Sequence, residues 1–116
     1  MKREHLKYIV AEDTTFEKAM HKILMNKCRE VLVVSGKKVK GTLSEGDILK
    51  AFINGTQISS QITNHCNRNF KYLEQTNNYK ANALKYFLKY NINLIPIVNK
   101  NFELKDVVVI KQLLKK

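Results

Sequence analysis

Residues 31–49, VLVVSGKKVKGTLSEGDIL, and residues 95–114, IPIVNKNFELKDVVVIKQLL, are one pattern written twice. In each, four apolar residues (Val31-Leu32-Val33-Val34, or Ile95-Pro96-Ile97-Val98) precede a polar turn, a second apolar segment and a short amphipathic stretch. The second copy begins about 64 residues after the first and carries one extra residue in its turn. A continuous apolar run of this kind marks a strand covered on both faces. A turn as short as Ser35-Gly36-Lys37-Lys38 returns the chain antiparallel, because a parallel crossover needs many more residues.

Upstream of each run lies an apolar stripe at helical spacing: Phe16, Ala19, Met20, Ile23 and Leu24 in the first copy, Ala83, Leu84, Phe87 and Leu88 in the second. Thr14-x-x-Glu17 reads as a capping box for the first helix, which should end near Lys27. Asn78 takes the place of Thr14 in the second copy. Tyr8-Ile9-Val10 and residues 70–73 read as the first strand of each unit, and Ser44 as the start of a helix that buries Ile48, Leu49, Phe52 and Ile53. A short final helix covers residues 110–116. Asn54-Gly55-Thr56 breaks the first unit from a polar connector anchored by Ile58 and Ile62. The predicted fold is α+β, with β-α-β-β-α repeats at 1–54 and 70–116, a linker at 55–69, and pseudo-two-fold packing. Halves of about 55 residues are marginal alone, so they should fold together.

Composition narrows the classes of function. No apolar run approaches the roughly 18 residues of a membrane span, and residues 1–5 lead into a strand without the apolar core of a leader, so a cytoplasmic protein is expected. Cys28 and Cys66 form no CxxC pair, and His65-Cys66 would share a metal only if ligands converged from elsewhere; reduced thiols and no metal site are expected. The net charge of +11 is spread through both units, with small clusters at Lys37-Lys38-Lys40 and Lys111-Lys115-Lys116. There is no arginine-rich arm, so a solvated basic surface is expected in preference to nucleic-acid or membrane binding. No P-loop, HExxH or activated nucleophile context points to an enzyme.

The candidate chemistry gathers at Gly41-Thr42-Leu43-Ser44-Glu45-Gly46-Asp47. Gly41 lets a ligand or a neighbouring element approach the backbone closely. Ser44 stands at a helix start, where a hydroxyl and free amides favour phosphate. Asp47 can accept hydrogen bonds from the vicinal hydroxyls of a ribose. The same two residues also make a helix cap worth about 1 kcal/mol that needs no ligand. In the second copy Asp106, Val109 and Gln112 replace Gly41, Ser44 and Asp47, removing hydroxyl and carboxylate together.

The tandem order of elements, with Arg29-Glu30-Val31-Leu32-Val33-Val34 followed by a G-x-x-[ST]-x-x-D signature and with Ile95-Pro96-Ile97 in the second copy, resembles a pair of CBS domains, or Bateman module. The connector also resembles those of CBS pairs fused to bacterial sugar nucleotidyltransferases. The resemblance implies a regulatory module whose inter-repeat cleft binds an adenine nucleotide or related nucleoside, with AMP, ADP, ATP or S-adenosylmethionine as regulatory ligand and no required cofactor. It implies phosphate and ribose contacts at Ser44 and Asp47, backbone contacts to the base near Ile9, Val10 and Val31, and a cleft-facing cation at Arg29. It further implies a homodimer and an attached or partner enzyme. The alternative is an assembly module that dimerises without ligand.

Overall fold

The two apolar runs become the central strands of two three-stranded sheets in the computed structural model, which describes residues 3–114. In the first sheet β1 (Ile9–Ala11) lies parallel to β2 (Glu30–Ser35), and β3 (Lys38–Ser44) antiparallel to it. In the second, β4 (Leu73–Glu74) and β6 (Leu104–Val109) flank β5 (Leu94–Val98) in the same way. α1 (Phe16–Asn26) and α3 (Tyr79–Lys89) make the parallel crossovers, and α2 (Glu45–Ile53) and α4 (Ile110–Leu114) follow the last strands. A 3-10 helix, Arg3–Tyr8, precedes β1.

The repeat holds residue by residue. Val33 pairs with Gly41 and Ile97 with Asp106, Val34 with Val39 and Val98 with Leu104, and the register shifts at the same step in both sheets. The extra residue of the second copy is taken up in its turn, where Phe102 has φ 63°.

Side chains alternate along a strand, and here the alternation divides the core. Val31 and Val33 pack with Phe16, Ala19, Ile23, Ile48 and Ala51 of the adjoining helices. Leu32 packs instead with Leu94, Val98, Val107 and Val109 of the other repeat, and Ile95, Ile97 and Val108 turn to Ala83 and Phe87 of α3. The layers are thus helices, sheet, sheet, helices, with the two sheets face to face.

Several local expectations are corrected. α1 is capped by Thr15, whose Oγ1 accepts the Lys18 amide at 3.3 Å, because the Thr14 carbonyl is taken by the Ile62 amide at 2.9 Å. The first strand of the second unit shortens from 70–73 to Leu73–Glu74, and the Asn78 side chain makes no cap bond. The helical stripes are narrower than their apolar residues allow: Leu24, Leu49, Ile53 and Leu88 are exposed. A three-stranded sheet covers only the strip of helix that touches it. The connector is docked, with Phe16 and Glu17 amides donating to the Ser60 and Ile58 carbonyls and Ile62 fully buried. Of the predicted final helix, Lys115 and Lys116 lie outside the described residues.

Candidate functional site: the inter-repeat cleft

Ser44 ends β3 in extended conformation and caps α2. Its amide and hydroxyl both donate to Asp47 Oδ2, at 2.9 and 3.0 Å, while the Asp47 amide donates to Ser44 Oγ at 3.2 Å. This is a complete capping box. Both bonds to the carboxylate fall on Oδ2, and among the described residues Oδ1 accepts no other hydrogen bond.

Glu30 is the register partner of Ser44, so the two side chains leave the sheet on the same face, toward the second repeat. There they meet a cavity of about 320 Å³. Its walls are Glu30, Thr42, Ser44 and Asp47 from the first repeat, Asn67, Asn69 and Lys71 from the connector and the segment before β4, and Tyr90, Asn91 and Leu94 from the second. A neighbouring cavity of about 400 Å³ shares Glu30, Ser44 and Asn91 with it. The second cavity lies on the pseudo-two-fold axis, since Lys27, Arg29, Ser44 and Gly46 line it opposite their counterparts Asn91, Asn93, Val109 and Lys111.

Burial sets the ionisation of this region. It pushes the Glu30 carboxyl from 4.5 up to about 7; the Leu94 and Asn93 amides pull the other way, and the Asp47 carboxylate adds to the rise. Burial likewise pushes the Cys28 thiol up to about 12, with Glu30 adding to it, so Cys28 is a protonated core residue. His65 packs edge-on against Phe16 at 5.1 Å, and among the described residues no three His, Cys, Asp or Glu groups converge as metal ligands.

The structure brings together Ser44 and Asp47, with Arg29 on the axial cavity. The Arg29 backbone is left-handed (φ 69°), and its side chain, largely exposed, lies 4.0 Å from Glu45. Gly41 serves a neighbouring element: a Cβ there would stand 2.7 Å from the Asn67 carbonyl oxygen. That closeness lets Thr42 and Asn67 exchange backbone hydrogen bonds of 3.0 and 2.7 Å. Ile9, Val10 and Val31 do not line either cavity. β1 lies on the far edge of β2 from Ser44, and Val10 and Val31 turn to the helix-side core.

The matching place in the second repeat is lined differently among the described residues. Val107 and Val109, which replace Thr42 and Ser44, are buried in one cluster with Tyr8 and Cys28. Asp106, in the place of Gly41, accepts the Tyr79 hydroxyl at 2.6 Å and lies 3.3 Å from the buried His5. Strand register alone would have found Glu30 and Thr42, which sit opposite Ser44 and Leu32. Asn67, Lys71 and Tyr90 carried no such signal, because Asn67 reaches the cavity through the docked connector and Lys71 and Tyr90 through the tertiary packing.

Residues 5–54 match the family model of the CBS domain. Three solved structures superpose on nearly the whole chain. A CBS domain protein from Pyrobaculum aerophilum, complexed with AMP, is 22% identical with a TM-score of 0.73, over 93% of this chain and 83% of that one. A CBS domain pair/ACT domain protein from Thermotoga maritima is 21% identical with a TM-score of 0.75, over 91% and 84%. The CBS domains of a transcriptional regulator from Streptococcus pneumoniae are 18% identical with a TM-score of 0.76, over 96% and 90%. No curated protein matches the chain. The first repeat is therefore a CBS domain, and the chain as a whole has the fold of a CBS-domain pair.

Proposed function

We propose that the chain is a regulatory, non-catalytic module that binds an adenine nucleotide or related nucleoside between its repeats and thereby biases an attached or partner protein, a nucleotidyltransferase being our candidate. The observation that carries this is the Ser44-Asp47 pair on the wall of an inter-repeat cavity, with one carboxylate oxygen uncommitted. The cap occupies one edge of the carboxylate and leaves the other for a ribose diol. The AMP complex of a protein of the same fold supports the ligand class. Ligand regulates if it binds one arrangement of the repeats more tightly than another. Calorimetry with AMP, ADP, ATP, adenosine and S-adenosylmethionine tests the site. Wild type should bind at least one, and Asp47→Ala should weaken that binding about tenfold or more, the loss of charge-assisted bonds. Equal binding by the variant would remove Asp47 from the site.

A second reading, assembly without ligand, is favoured by the exposed apolar residues Leu24, Leu49 and Ile53 on the helices of the first repeat and Leu88 on the second. The two functions are compatible on one molecule, because the cleft and the outer helix faces are separate surfaces.

A further inference from the structure

The cavity that holds Ser44 and Asp47 is lined by two carboxylates, Glu30 and Asp47, and by one cation, Lys71. No ion pair joins Glu30 to a cation among the described residues. What faces its carboxyl is the backbone amides of Leu94 and Asn93, presented by the second repeat. Glu30 also lines the axial cavity with Lys27, Arg29 and Lys111, but Arg29 is turned to Glu45, none of the three forms an ion pair with Glu30, and none lines this cavity. A phosphate here would enter a partly enclosed space between two carboxyl groups, where solvent screens like charges less than at an open surface. An uncharged ribose meets no such opposition and finds the free oxygen of Asp47. A cationic substituent would gain from both carboxylates.

We infer that Glu30 sets the ligand class of this cleft, favouring a nucleoside that is uncharged or cationic at its 5′ end over the corresponding phosphate. The preference rests on the cleft being the nucleoside site proposed above. The role falls to a residue outside the glycine-serine-aspartate signature, one strand away and directly opposite Ser44.

The test is calorimetry at pH 8 with adenosine and AMP on the full chain, wild type beside Glu30→Gln, which keeps the shape and an acceptor for the two amides. Wild type should bind adenosine at least about tenfold more tightly than AMP, and Glu30→Gln should bring the two within about threefold, chiefly by tightening AMP. Glu30→Ala is a second neutral variant, with circular dichroism confirming that the variant used is folded. AMP binding as tightly as adenosine in wild type overturns the selectivity and leaves the nucleoside site standing. A preference that persists unchanged in the folded neutral variants overturns the role of Glu30. Binding of neither ligand by wild type overturns the selectivity and the proposed function together.

Discussion

Asp47 and Glu30 show how differently two carboxylates behave on the wall of one cavity. Asp47 is tied into a helix cap by two donors on one oxygen. Glu30 is half-buried, and its desolvation raises its carboxyl to about 7. Because its folded value lies above the unfolded value of 4.5, native Glu30 keeps a proton that the unfolded chain has lost between pH 4.5 and 7. Stability contributed by this group is therefore lost as pH rises through that window, by up to ~3 kcal/mol, and is level above it. Glu30→Gln should flatten this slope and be about 1–3 kcal/mol more stable than wild type at pH 8, with little difference at pH 4.5. Urea denaturation of both proteins at the two pH values checks it; a variant no more stable at pH 8 would show that the half-buried carboxyl carries no such cost. Gly41 makes the opposite kind of demand, for space. Gly41→Ala would push a methyl group against the Asn67 backbone, which cannot swing aside as a side chain end would. A loss of about 1–3 kcal/mol is expected, read from the thermal midpoint.

At the scale of elements, the connector is more than a tether. Ile62 is fully buried in the core of the first repeat, and the connector's carbonyls at Ile58 and Ser60 take two of the amides at the start of α1. Those amides have no partner within the helix itself. Ile62→Ala should cost about 2–5 kcal/mol, and should unfold both repeats in one transition if the connector joins them mechanically. Two separated transitions by calorimetry would show that the repeats unfold independently. The central strand pairs and the helices of both repeats followed from apolar periodicity, and the first turn from Gly36, since those signals act between close neighbours in the chain; the 3-10 helix Arg3–Tyr8 and the bounds of β4 did not. The cap of α1 did not, because Thr14 and Thr15 are equally good cap residues until the Ile62 amide claims the Thr14 carbonyl. Nor did the exposure of Leu49 and Ile53, whose helical spacing is the same whether a sheet covers them or not.

Across the whole molecule, the helices that cover the sheets leave apolar residues facing outward on both repeats. Between α1 and α2 these form a groove of about 390 Å³ lined by Met20, Ile23, Leu24, Ile48, Leu49 and Phe52. Leu24, Leu49 and Ile53 are 76%, 61% and 82% exposed, enough apolar surface in one place to favour association. Sedimentation should show a dimer, and Leu49→Glu with Ile53→Glu should shift it to monomer at micromolar concentration; a monomeric wild type would refute the assembly role. No helix among the described residues is long and apolar enough to cross a membrane. The duplication, the order of elements and the loss of the hydroxyl and carboxylate from the second copy were all determined by the sequence, because each depends on residue type at a fixed position in a local pattern. The tertiary structure decided which residues share the cleft. Strand pairing sets Glu30 opposite Ser44 and the docked connector sets Asn67 beside Thr42, but only the face-to-face packing of the two sheets brings Tyr90, Asn91 and Leu94 of the second repeat to the same cavity. At the matching place in the second repeat the same packing buries Val107 and Val109 in one cluster with Tyr8 of the 3-10 helix.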